Sequence, residues 1–271
     1  MKKERIIGIS GNLGSGKDTV ADYLIDHHAY VRIALADPLK RLGSSVFLFS
    51  YNQLWGPSQM RNAHDTRYFA GSPAWKNAAV RLVAVADRWL EPIFKLYPDL
   101  DIMAVKQSLL SWFDDLESNY PDLSPRIMLQ ALGTEWGRDS VDEDVWISLV
   151  LDTAKQLLHT RWNGTMADEG RATLRYDPAH GLRETHDSEH VQGVVISDVR
   201  FQNEFAAIRD KHGTLVKVLR EATDAEAASI GIPQHASETQ DFPLSEFHFI
   251  LRNDGTLAQL EHNIDIFLKV L

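Results

Sequence analysis

Residues 6–19 read Ile-Ile-Gly-Ile-Ser-Gly-Asn-Leu-Gly-Ser-Gly-Lys-Asp-Thr, and the reading of the whole chain turns on them. The apolar run Ile6, Ile7, Ile9 predicts a buried strand. It breaks into a loop with Gly11, Gly14 and Gly16, and Lys17 then opens a segment of helical periodicity. Such a strand, glycine loop and helix form a cradle for phosphate. Glycines let successive backbone N–H groups turn inward on one anion, and the helix N-terminus adds unsatisfied donors and the positive end of its dipole. Lys17 brings a mobile point charge to the outer phosphates. Gly11, Gly16 and Lys17 meet the pattern G-x-x-x-x-G-K, but the next position, normally Ser or Thr for magnesium, is Asp18, with Thr19 one residue on. The bland alternative is a glycine-rich turn with a chance lysine. The placement between a strand and a helix favours the phosphate site.

At 271 residues the chain has room for one large domain or two small ones. Hydrophobic residues make up 44% and charged residues 24%, enough for a sizeable core and incompatible with wholesale disorder. A net charge of -10 argues against a broad nucleic-acid or anionic-membrane footprint, though a small basic pocket for an anionic substrate fits within it. With no cysteine there are no disulfides, thiol catalysis or thiolate metal sites. Met-Lys-Lys-Glu-Arg runs straight into the first strand without the apolar core of a signal peptide. The expectation is a soluble intracellular α/β protein.

Beyond the first helix, about 17–27, Tyr30–Leu35 alternates as a short strand, and Asp37-Pro38 predicts an N-cap and first position for a helix to about Phe49. Residues 50–75 read as an irregular connection. Amphipathic helices follow near 75–95 and 101–118, with Trp75, Trp89, Trp112 and Phe113 as packing residues. Ser124-Pro125-Arg126 starts another helix, on whose wheel Arg126, Gln130, Gly133 and Gly137 share one narrow stripe. Each helical glycine costs about 1 kcal/mol against alanine. The stripe therefore suggests a face open to a ligand; the alternative is another helix packed closely over the glycines. Asp142-Glu143-Asp144 opens the next helix. Residues 160–192 read as a polar surface insertion with solvated His180, His186 and His190. The chain then returns to alternation: strands over Gly193–Ser197, Thr214–Arg220 and Phe247–Leu251, a helix over about 202–211, and a last amphipathic helix over Thr256–Leu271.

Five short strands separated by helices predict a parallel, doubly wound sheet flanked by helices, with a helical insertion lobe. The division expected is a core of 1–49 and 193–271, a largely helical lobe of 50–160, to which the resemblance described below assigns acceptor binding, and the insertion 161–192. Ligands gather at the carboxyl ends of such strands. Those ends carry the glycine loop, Asp37, Asp198 with Arg200, Arg220, and Asn253 to Gly255. Each alone is an ordinary loop charge or helix cap; their joint occurrence around a phosphate loop favours phosphoryl transfer. Asp198 suits magnesium, and Arg126, Arg200 and Arg220 suit the phosphoryl groups.

These stretches resemble the deoxynucleoside monophosphate kinases of tailed bacteriophages, within the nucleoside monophosphate kinase-like P-loop proteins. The resemblance rests on Ser10–Leu24, Leu35–Lys40, Arg126–Thr134, Val194–Glu204, His235–Glu238 and Asn253–Thr256, in order along nearly the whole chain. Asp18 after Lys17 matches the family's own variant. The resemblance implies transfer of the ATP γ-phosphate to a deoxynucleoside 5′-monophosphate, with magnesium. It places Gly11, Asn12, Gly14, Ser15, Gly16, Lys17, Asp18 and Thr19 on the ATP phosphates, with Asp18 and Asp198 at the metal. Asn253 and Gly255 would border the adenine. Lys17, Arg126, Arg200 and Arg220 would serve catalysis. Asp37, Lys40, Arg126, Gln130, Trp146 and Glu238 would lie on the acceptor side, with Gln130 reading the base. Arg220 and the segment through Glu238 would form a closing lid. A small-molecule substrate, no nucleic acid, no membrane, a homodimer, and the cytoplasm of an infected bacterial host complete the expectation. The alternatives are a sister kinase of the phosphomevalonate or dephospho-coenzyme A type, a non-catalytic ATP-binding regulator, and a DNA-binding ATPase that the acidic charge disfavours.

Overall fold

The computed structural model describes residues 5–12, 14–162, 173–185, 191–221 and 242–271. In chain order the elements are β1 (Ile6–Ser10), α1 (Lys17–His28), β2 (Tyr30–Ile33), α2 (Asp37–Phe47), α3 (Tyr51–Trp55), α4 (Ser58–Asn62), α5 (Pro73–Leu96), α6 (Ile102–Asn119), α7 (Pro125–Gln130), a π-helix (Ala131–Val141), α8 (Val145–Trp162), β3 (Thr173–Asp177), β4 (Gly181–Thr185), β5 (Gly193–Ile196), α9 (Gln202–Asp210), β6 (Thr214–Leu219), β7 (Phe249–Arg252) and α10 (Leu257–Val270). Among the described residues no helix is long and apolar enough to cross a membrane. The chain divides into two compact units.

The first unit comprises Met1–Leu35, Leu151–Tyr176 and Leu182–Leu271. Its centre is a five-stranded sheet in the order β2-β5-β1-β6-β7, with every pairing parallel. β1 is central, with Ile7 opposite Val195 of β5 and Ile9 opposite Val216 of β6. Both β1 and β5 are buried along their whole length, which is why they read as continuous apolar runs rather than alternating ones. On one face Ile7, Ile9, Val195, Val216, Val218 and Leu251 pack on Val20, Ala21 and Leu24 of α1 and on Leu260, Ile264 and Phe267 of α10. On the other, Gly8 brings the backbone of β1 against Ile208 of α9. The five parallel strands flanked by helices are the doubly wound architecture expected from the alternation.

The second unit comprises Ala36–Val150 and Asp177–Gly181. Its core is helical: Leu42, Val46 and Phe47 of α2, Trp75, Leu82 and Leu90 of α5, and Leu109, Trp112 and Phe113 of α6. The C-terminal carbonyls of α2, which have no partner within a helix, are met by side chains. Arg81 Nε donates to the Val46 carbonyl (2.6 Å), the Tyr68 hydroxyl to that of Phe47 (2.9 Å) and Arg67 Nη2 to that of Leu48 (3.1 Å).

Three local expectations are corrected. Residues 50–75 hold two short helices, α3 and α4, the first closed by a reciprocal cap between Ser50 and Gln53. Asp37 is the first residue of α2 rather than its cap, and its side chain turns to Trp55 instead. The helix expected from Asp142 begins at Val145, while the Asp142 carboxylate accepts the Asp144 N–H (2.8 Å). In the segment read as a surface insertion, α8 runs on to Trp162, and β3 and β4 form a two-stranded sheet whose connection places the Pro178 carbonyl on Arg41 Nη1 (3.1 Å). His180 is exposed there beside Asp177; His186 and His190 lie outside the described residues.

The glycine stripe is the fourth correction. From Ala131 the helix widens to π geometry, as the Asp142 N–H shows by donating to the Gly137 carbonyl five residues back (3.1 Å). A wheel drawn at the α-helical period therefore does not hold across Gly133 and Gly137. Trp146 of α8 lies against Gly137, and its indole N–H donates to the Gly133 carbonyl (2.8 Å). Gly133 itself faces Leu39 of α2. The two glycines admit neighbouring side chains, the close packing that was the alternative to a ligand face.

Candidate active site

The loop between β1 and α1 is shaped as its composition requires. Gly14 and Gly16 take φ of 78° and 93°, backbone that a side chain would strain. The Ser15 N–H donates back to the Asn12 carbonyl (3.1 Å), tightening the turn. Gly16 is the N-cap of α1, and no side chain caps that helix. Lys17 is half-buried at its first position. Ser15 is only 4% exposed and its hydroxyl has no hydrogen-bond partner among the described residues. A buried hydroxyl without a partner costs free energy. In a loop of left-handed glycines that opens on a helix N-terminus, a bound phosphate would supply the missing acceptor. These residues fit a nucleotide polyphosphate.

The other strand ends of this unit contribute as follows. Asp198, two residues past β5, is half-buried and accepts the Leu35 N–H (3.1 Å). Arg200 is exposed, and its backbone N–H is held by the buried Glu204 carboxylate (2.6 Å), which also takes that of Phe201 (2.9 Å). Arg220, just past β6, reaches the Gly14 carbonyl with Nη1 at 3.5 Å. Asn253, just past β7, donates from Nδ2 to the Ser15 carbonyl (2.9 Å). The neighbouring Asp254 accepts the Glu221 N–H (2.7 Å), and Gly255 leads into the capping box of α10. The structure thus brings Gly14, Ser15, Gly16, Arg220 and Asn253 together. Asp18 is exposed, and its nearest cation is Arg32, whose Nη1 stands 3.9 Å away. Thr19 and Asn12 are exposed, and Gly11 packs under Ser15 with no room for a side chain.

In the second unit Asp37 is 2% exposed, and its Oδ1 accepts the Trp55 indole N–H (3.0 Å). Lys40 Nζ stands 3.7 Å from the same oxygen and 5.7 Å from the Trp55 ring centroid. The three make one cluster of buried acid, cation and indole. Arg126 and Gln130 lie one turn apart on α7, both half-buried, with Arg126 Nη1 3.5 Å from Asn62 Oδ1. The start of α7 is as the sequence indicates, with Ser124 Oγ accepting the Ile127 N–H (3.2 Å) ahead of Pro125. Trp146 is 6% exposed among Gly137, Trp89 and Trp136. Glu238, with the rest of His235–Glu238, lies outside the described residues, as does Leu13.

Two participants went unread in the sequence. Trp55 sits in a stretch crowded with Asn52, Gly56 and Pro57, and nothing there marks an indole directed at Asp37. Glu204 left a signal, since a glutamate three residues into a helix is the second half of a capping box.

No family model matches the chain. Over 259 aligned residues, 96% of this chain and 93% of the relative, it is 24% identical to a protein of Acanthamoeba polyphaga mimivirus that carries the provisional name deoxynucleotide monophosphate kinase. Over 261 aligned positions, 86% of this chain and 84% of the relative, it is 26% identical to the deoxynucleoside-5′-monophosphate kinase of Escherichia phage T5. Along most of its length, then, the chain is a homologue of two viral proteins that bear the name of kinases of deoxynucleotide monophosphates.

Proposed function

We propose that the chain is a kinase that moves the γ-phosphoryl group of ATP to a deoxynucleoside 5′-monophosphate, giving the diphosphate and ADP, with magnesium. The observation that carries this reading is the orphaned Ser15 hydroxyl in a loop of left-handed glycines at the open N-terminus of α1. The names of the two relatives point to the same acceptor.

In this reading the backbone from Gly11 to Thr19 surrounds the ATP phosphates and Lys17 follows the charge on the transferred group. Asp198, with Asp18 as the second candidate, would hold magnesium, which would offset the charge of the phosphates. Arg126, Arg200 and Arg220 stabilise the charge that spreads over the phosphoryl oxygens, and transfer of this kind needs positioning and electrostatics more than covalent help. Asp37, Lys40, Arg126 and Gln130, with Trp146 and Glu238, serve the acceptor side. Asn253 and Gly255 serve the nucleotide side. The acceptor phosphate, with a second pKa of about 6, is already largely ionised near neutral pH, so no strong base is required. A homodimer in the cytoplasm of an infected cell belongs to the same reading.

The test is release of ADP from magnesium-ATP across the deoxy- and ribonucleoside monophosphates, with phosphomevalonate and dephospho-coenzyme A as controls. Turnover on at least one deoxynucleotide supports the reading. Turnover confined to a control acceptor transfers the chain to a sister kinase.

A further inference from the structure

We infer that Asn253 is a positioning residue that aims the Gly16 N–H into the phosphate loop, and that it acts on the phosphates of any nucleotide rather than on the base. The inference rests on the reading of this loop as a nucleotide-phosphate site.

Two independent observations carry it. The first is the hydrogen bond from Asn253 Nδ2 to the Ser15 carbonyl at 2.9 Å. A peptide unit is planar and trans, so its C=O and N–H point in opposite directions. Holding the Ser15 carbonyl outward on Asn253 therefore turns the N–H of the same peptide, that of Gly16, inward. The second is the space at Gly16. A side chain there would run into the Asn253 carboxamide before anything else. Gly16 and Asn253 are a matched pair: the absent side chain of one is the room the other needs to reach the loop.

The brace is itself well anchored. The Asn253 backbone N–H donates to the Leu219 carbonyl (2.7 Å), continuing the β6–β7 ladder by one residue. Beside it Asp254 accepts the Glu221 N–H (2.7 Å), which joins the exits of the two strands. The carboxamide is thus mounted on the sheet rather than on a free loop. With Nδ2 committed to the phosphate loop, the effect on a nucleotide passes through the loop's shape.

The test compares Asn253→Asp and Asn253→Ala with the wild-type chain. Three ligands are titrated: magnesium-ATP, magnesium-GTP and magnesium-tripolyphosphate, which has no base. The isosteric aspartate keeps the volume and loses the donor, so thermal unfolding should be nearly unchanged. We expect the affinities for all three ligands to fall together, by about tenfold, the size of one hydrogen bond. Amide exchange at Gly16 should also change in both variants. A loss confined to ATP, with tripolyphosphate binding untouched, overturns the inference and makes Asn253 a reader of adenine. If wild type itself binds none of the three, the phosphate-site reading fails, and Gly16 amide exchange alone then decides whether the brace exists: unchanged exchange in both variants rejects it.

Discussion

The indole of Trp146 lies against Gly137 and donates its N–H to the Gly133 carbonyl at 2.8 Å. A widened helix and a tryptophan from the following helix are thus fitted to each other through two glycines. Gly137→Ala would place a methyl group within the indole ring. We expect it to destabilise the protein by about 1–3 kcal/mol, the usual penalty of overpacking, read as a lowered unfolding midpoint. A midpoint equal to wild type contradicts the packing role.

Lys17→Ala tests the outer-phosphate charge. The loop backbone is untouched, so the fold should persist while phosphotransfer falls by about a hundredfold or more. Wild-type turnover in the variant contradicts the placement of ATP.

Arg126→Ala separates the two substrates. The expectation is a raised KM for the monophosphate with little change in the KM for ATP. Equal effects on both remove Arg126 from the acceptor side.

Asp65 gives a pH signature. Burial alone would raise its pKa, but hydrogen bonds from Arg67 and Gln53 outweigh it and hold the carboxyl at about 2, against an ordinary 3.8. Arg67 Nη2 stands 2.7 Å and Gln53 Nε2 2.9 Å from its Oδ2. The folded state binds this proton less readily than the unfolded one, so stability rises with pH through the window. The contribution is fully present above about pH 4 and is lost as pH falls towards 2. Asp65→Asn should be less stable near neutrality, and its deficit should narrow over that window. A pH-independent deficit contradicts the ion pair. Tyr97 is the counterpart that titrates out of range: burial and the Asp142 carboxylate push it up to about 12, so it stays neutral throughout.

The sheet was legible because its central strands β1 and β5 are buried on both faces and read as continuous apolar runs such as Val194, Val195, Ile196. The phosphate loop was legible because glycine spacing and a lysine carry its mechanism directly. The lobe between α2 and α8 was harder. Periodicity found α5 and α6, which are long, but α3 and α4 have five residues each and leave no periodic trace. The π-helix misled because a wheel assumes one period, and the contact of Trp146 with Gly133 and Gly137 is a tertiary one that the wheel does not show. β3 and β4 are five residues each within polar sequence, and only β3 alternates. In the candidate site the cations and acids at strand ends could be read in order, whereas Trp55 on Asp37 depends on a tertiary contact across 18 residues.

The most direct measurement follows the label from γ-labelled ATP, with magnesium and each deoxynucleoside monophosphate in turn. The account predicts label in the β-position of the deoxynucleoside diphosphate, and its loss in Lys17→Ala. Label that stays in ATP with every acceptor, or appears only as inorganic phosphate, contradicts it.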